Sequence, residues 1–155
     1  MSFNIFLDTN ALIDIFVDYQ TPTTYDKIRS DAKLALKTKI YIAELIKNNP
    51  DIKLFINTTT ITNVFFILTN RQKISKSLVA SQILNLHKQK ELFTVVCEGD
   101  IIREAALNYC IQNDADYEDA LQYFCALKHN CKAIITNDKN FPDIDIKLIR
   151  TYQEA

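Results

Sequence analysis

Four short apolar runs, Phe3–Leu7, Lys53–Asn57, Leu92–Val96 and Lys132–Thr136, constrain this chain more than any other feature. They are near-continuous rather than alternating, as strands must be when both faces of a parallel sheet are covered. A weaker fifth run spans Ile146–Ile149. Helical spacing fills the gaps. Ile61, Val64, Phe65 and Leu68 repeat at i, i+3, i+4, i+7, as do Ile102, Ala105, Ala106 and Tyr109, and Ala120, Tyr123, Phe124 and Leu127. Helices are expected over Thr59–Arg71, Asp100–Gln112 and Tyr117–His129. Strands alternating with helices imply a three-layer α/β/α sandwich around a mainly parallel sheet of four to five strands.

A chain of 155 residues with one glycine (Gly99) and three prolines has few breakers, so residues 1–155 read as a single helix-dense domain without a flexible linker. The net charge of −1 supplies no basic field, so a nucleic-acid partner must be held by a local patch or through metal. The four cysteines lack CxxC spacing and only His87 and His129 accompany them, which argues against a structural zinc site. Cys110 and Cys125 fall on apolar helix faces, as buried thiols do, and a reducing cytoplasm is the simplest setting. Asp8 interrupts the N-terminal apolar stretch, so it does not read as a signal peptide. The longest uncharged stretch, Leu54 to Asn70, is too rich in Thr and Asn for a membrane helix.

Three carboxylates stand where elements change. Asp8 ends the first run, Asp138 follows the fourth by two residues, and Asp119 lies at the start of a helix. Ligands of a parallel sheet bind beyond the carboxyl ends of its strands, and Asp8 and Asp138 both belong there. The helix bearing Asp119 joins the fourth strand by a short turn and must run antiparallel to it, which brings Asp119 to the same edge. That parity requires the preceding helix to cross the top of the sheet. Gathered acids repel unless a cation lies between them. Mg²⁺ and Mn²⁺ take such oxygens, and metal-assisted phosphodiester hydrolysis uses open acidic clusters of this kind. Capping is the plainer role: Asp8 can cap the helix near Asn10, Asp116 and Asp119 can form an N-cap and N3 pair, and Asp138 can cap a turn before Pro142. One residue can do both.

Phe6-Leu7-Asp8-Thr9-Asn10-Ala11-Leu12-Ile13-Asp14 resembles the opening of PIN-domain nucleases. Thr60-Ile61-Thr62-Asn63-Val64-Phe65-Phe66-Ile67-Leu68, Asp116-Tyr117-Glu118-Asp119-Ala120-Leu121-Gln122-Tyr123 and Ile134-Ile135-Thr136-Asn137-Asp138-Lys139-Asn140-Phe141 resemble their later motifs, in order. The length resembles that of VapC-like toxins of toxin–antitoxin pairs. The resemblance implies Mg²⁺- or Mn²⁺-dependent cleavage of single-stranded RNA and inhibition by a small cognate antitoxin. Carried over by position, Asp8, Asp119 and Asp138 are metal ligands and Asp116 is an extra acid, cap or ligand. Asn63 stands where most relatives carry Glu: an oxygen donor remains and a charge is lost, which lowers the expected metal affinity. In the bland alternative, Asn63 bonds a neighbouring loop or Thr9.

The runner-up function is a catalytically weakened module that binds RNA or a protein without cleavage. A receiver-like phosphotransfer domain fits poorly, because no second acid follows Asp8 at Asn10. Arg71, Lys73 and Lys76, and Lys27, Arg29 and Lys33, form basic clusters able to hold phosphates, although solvated helix surface is the commoner role. Tyr19, Tyr25 and Tyr41 are candidates for base stacking or for half-buried packing. The helical segment between Pro22 and Asn48 has apolar positions enough for a homodimer face or an antitoxin groove. His87 and His129 read as helix C-terminal charges, Asp100 as an N-cap, and Glu98 as a peripheral acid.

Overall fold

The computed structural model describes residues 3–16 and 32–153. Strands β1 (Phe3–Leu7), β2 (Ile52–Asn57), β3 (Phe93–Val96), β4 (Ala133–Ile135) and β5 (Lys147–Ile149) fall on the five apolar runs and form an all-parallel sheet in the order β3-β2-β1-β4-β5. The described helices are α1 (Thr9–Phe16), α2 (Ala32–Asn48), α3 (Thr58–Phe66), α4 (Lys76–Lys88), α5 (Asp100–Asn113) and α6 (Tyr117–Lys128).

The period of two along each strand sorts the apolar side chains into two cores. Ile5, Leu7, Leu54, Ile56 and Ile135 pack with Leu12, Ala35, Val64 and Val79, so α1 to α4 cover one face. Phe6, Phe55 and Ile134 pack with Ile102, Ala106, Ala120 and Tyr123, so α5 and α6 cover the other. Phe6, Phe55 and Ile134 sit side by side in the register. Three layers result.

The far end of α6 fixes its direction. The Lys132 amide donates to the carbonyl of Asn4 near the start of β1 (2.8 Å), and Asn4 Nδ2 donates to the carbonyl of His129 (3.4 Å). α6 therefore ends at the amino edge of the sheet and begins at the carboxyl edge. β3 also delivers the chain to the carboxyl edge, so α5 starts and finishes there, as strand parity demands. The turn between α5 and α6 is tightened by Asp114 in the left-handed region (φ 50°).

Several local expectations change. Gly99, not Asp100, occupies the N-cap of α5; Asp100 is its first residue and pairs with Arg103 at 3.6 Å. The helix expected over Thr59–Arg71 is α-helical only to Phe66, then forms a π-helical turn over Ile67–Arg71. There Thr69 Oγ1 and Asn70 Nδ2 donate to the carbonyls of Phe65 and Phe66 (2.8 and 3.2 Å), and the Gln72 amide reaches back five residues to Ile67 (3.2 Å). Side-chain competition of this kind loosens the regular ladder.

His129 caps the end of α6, but burial and then Lys128 lower its pKa, and its ring lies 5.7 Å from that of Phe55. It is a packing imidazole held toward the neutral form rather than a helix-end charge. His87 does sit in the last turn of α4. Glu98 is buried and is not among the residues lining the acidic cleft; its carboxylate accepts from the Thr58 hydroxyl (2.8 Å) and the Thr59 amide (3.1 Å) at the head of α3. All four cysteines are free, and burial raises the Cys125 and Cys131 thiols to about 11 and about 12. Among the described residues no helix is long and apolar enough to cross a membrane. Arg71, Lys73, Lys76 and Lys33 are exposed, and Tyr41 packs half-buried against the first core. Lys27, Arg29, Tyr19, Tyr25 and the first half of the segment after Pro22 lie outside the described residues.

Candidate metal and catalytic centre

The sheet's connections diverge at β1: β2 and β3 extend to one side, β4 and β5 to the other. Such a switch point leaves a crevice beyond the strand ends. Asp8 leaves β1 into it and Asp138 follows β4. α6 starts opposite them, and its residues Glu118, Asp119 and Gln122 complete one wall. The cleft is ≈ 440 Å³ and is lined by Asp8, Thr9, Asn10, Ile67, Asp116, Glu118, Asp119, Gln122, Asp138 and Asn140.

Local structure holds each acid. Asp8 is buried, and its Oδ1 accepts from the Ala11 amide (2.8 Å), so it caps α1 while facing the cleft. Asp116 is the N-cap of α6 and accepts from the Asp119 amide (3.1 Å). Asp138 accepts from the Asn140 amide (2.9 Å). Its loop is tied down from below. Asn137 bonds Thr38 of α2 and Thr151 (3.1 and 2.8 Å), and Arg150 donates to the carbonyls of Thr136 and Asp138. Capping and site membership coincide at all three positions.

The acids feel one another. Asp119 is pushed up to about 8, first by burial and then by the charges of Asp138 and Asp116, a hydrogen bond with Asp138, and the charge of Asp8. Both causes favour the protonated acid as long as no cation lies among the carboxylates. Among the described residues no three His, Cys, Asp or Glu side chains form a ready-made metal-holding group. The carboxylates instead stand around one cleft. The donor set is all hard oxygen, with no His or Cys in the lining, and that suits Mg²⁺ or Mn²⁺ rather than zinc.

Asn63 is not among the lining residues. It is half-buried in the second turn of α3, because the helix already begins at Thr58. Thr9 gives its hydroxyl to Glu118 rather than to Asn63. Sequence reasoning missed Gln122, a fully buried amide inside the apolar stripe of α6. A polar residue between Ala120 and Tyr123, four residues after Glu118, was the available signal.

The residues matched by the PIN-domain family model run from 5 to 147 and include every acid of the cleft. The chain belongs to the PIN-domain family. Ribonuclease VapC1 of Aquifex aeolicus (strain VF5) is 30% identical over 147 residues, covering 95% of this chain and 90% of that protein. Among solved structures, a toxin–antitoxin complex from Klebsiella pneumoniae matches at 20% identity with a TM-score of 0.59, over 96% of this chain and 98% of that one. VapC20 of Mycobacterium tuberculosis, a sarcin–ricin loop cleaving toxin, matches at 12% identity with a TM-score of 0.61, over 88% and 92%. These structures share the PIN-domain fold with this chain.

Proposed function

We propose that this protein is a metal-dependent endoribonuclease that hydrolyses phosphodiester bonds of single-stranded RNA, as the toxin of a toxin–antitoxin pair. The observation that carries the reading is the single cleft at the switch point into which Asp8, Asp116, Asp119 and Asp138 all open. Membership of the PIN-domain family and the likeness to a ribonuclease support it. Asp8, Asp119 and Asp138 would hold Mg²⁺ or Mn²⁺, with Asp116 as a further acid at the rim. An ion bound there supplies positive charge against the phosphate and acidifies a water molecule, the chemistry of metal-assisted hydrolysis.

The chain's own part is placement. Asp8 and Asp138 are fixed by their caps, and the polar wall of Thr9, Asn10 and Asn140 offers hydrogen-bonding groups to a sugar–phosphate backbone. No histidine lines the cleft, so no imidazole base is assigned. A small cognate antitoxin fits the same reading. An open apolar groove of ≈ 450 Å³ between α3 and α4, lined by Ile61, Phe65, Ala80, Ile83 and Leu84, supports an occupant with an apolar helical face.

The test is cleavage of a single-stranded RNA with Mg²⁺ or Mn²⁺ by the wild type and by Asp8→Asn and Asp138→Asn. Loss of cleavage in folded variants is expected; full cleavage by either after stringent purification refutes the assignment. A non-cleaving module, which the neutral Asn63 favours, predicts RNA binding without cleavage in the wild type as well.

A further inference from the structure

Beneath the acids a polar chain links four elements, β2, α3, α1 and α6. Asn57, the last residue of β2, accepts through Oδ1 from the Thr60 amide (3.1 Å) and from the Thr60 hydroxyl. Its Nδ2 faces Cys125 Sγ of α6 at 3.9 Å. The Thr9 hydroxyl of α1 donates to Glu118 Oε1. Between these hydroxyls sits Gln122 of α6, whose Nε2 lies 2.9 Å from Thr9 Oγ1, 2.8 Å from Thr60 Oγ1 and 3.4 Å from Glu118 Oε1.

Proton accounting fixes the orientation of that amide. Each threonine hydroxyl has one proton. Thr9 gives its proton to Glu118 and Thr60 gives its own to Asn57, so both oxygens can only accept from Gln122. The two N–H bonds of Nε2 meet that demand. The amide oxygen, Gln122 Oε1, is left buried without a hydrogen-bond partner. An apolar side chain of similar volume would avoid that orphan. The amide N–H₂ group is therefore what this position uses.

We propose that Gln122 is a positioning residue of the acidic cleft. By bridging Thr9 and Thr60 from the wall of α6, it sets the spacing between Asp8, adjacent to Thr9, and Asp119, one helical turn before Gln122. It touches no reacting atom in this role; it acts through the residues that carry the acids. The inference rests on the metal reading above.

Mn²⁺ binding to the RNA-free protein by titration calorimetry tests it. Side chains that orient metal ligands typically change metal affinity by about 10–100-fold when removed. Gln122→Leu and Thr9→Val are expected to weaken Mn²⁺ binding about tenfold while circular dichroism shows a retained fold, and Thr9→Ser, which keeps the hydroxyl, recovers the wild-type affinity. A purely structural role would lower the melting temperature and leave the affinity of the folded protein unchanged. Unchanged affinity in both Gln122→Leu and Thr9→Val overturns the inference while the metal reading stands. A wild type that binds no Mn²⁺ overturns both. If Gln122→Leu does not fold, the contrast between Thr9→Val and Thr9→Ser decides.

Discussion

Two hollows of nearly equal size flank α3 and differ in almost everything else. The cleft at the strand ends is ≈ 440 Å³ and holds four Asp and one Glu; the groove between α3 and α4 is ≈ 450 Å³ and is lined mainly by aliphatic and aromatic side chains. Thr60 of α3 bonds the wall of the cleft through Gln122, and Ile67 lines it, while Ile61 and Phe65 open into the groove. Volume therefore says little about what a hollow does. The chemistry follows from which groups the topology delivers: strand ends bring capping acids to one hollow, and two amphipathic helices bring apolar stripes to the other.

Substitutions can break this contrast. The largest effect is expected from Asp138→Asn or Asp8→Asn, which should lower RNA cleavage by about 10³-fold or more, the scale of several kcal/mol of lost charge stabilisation. Asn caps a helix about as well as Asp, so thermal melting should show Asp8→Asn folded. Retained cleavage would detach the cleft from catalysis.

Glu98 gives a smaller effect outside both hollows. Burial raises its pKa, but its bonds from Thr59 and Thr58 outweigh this and hold it below the ordinary value of 4.5. A carboxyl with a depressed folded pKa adds stability above its unfolded pKa and loses it as pH falls through the folded value. Denaturant melts should show the wild type weakening below about pH 4.5, a loss that Glu98→Gln flattens. At neutral pH that variant should be less stable by about 1–3 kcal/mol, the scale of a hydrogen bond to a charged group. A wild type as acid-sensitive as the variant would remove Glu98 from the anchoring of α3.

Asn63→Glu sharpens the boundary of the cleft. A charge added beside it without joining the lining should strengthen Mn²⁺ binding by less than Asp138→Asn weakens it, as calorimetry can measure. Equal and opposite effects would place Asn63 among the ligands. Smallest of all, Leu84→Lys in the groove should change neither cleavage nor Mn²⁺ affinity and should shift stability by no more than about 0.5 kcal/mol, since Leu84 is already 54% exposed. A loss of cleavage there would show that the two hollows are coupled.

The apolar runs and the helical spacings determined the layers, the parallel sheet and the edge at which Asp8 and Asp138 emerge, because burial on both faces leaves a period that can be read locally. Asp119 was reachable by strand parity, since a short turn forces a helix to run back along the strand it feeds. What only the tertiary structure decided are features that depend on contacts across elements. Among them are the buried bonds of Glu98 at the head of α3, the packing of His129 on Phe55, and the absence of Asn63 from the lining. The network in which Gln122 serves Thr9, Thr60 and Glu118 belongs with them. A buried amide looks like a lapse in an apolar pattern until the two hydroxyls that accept from its N–H₂ group, 62 and 113 residues away in sequence, stand beside it.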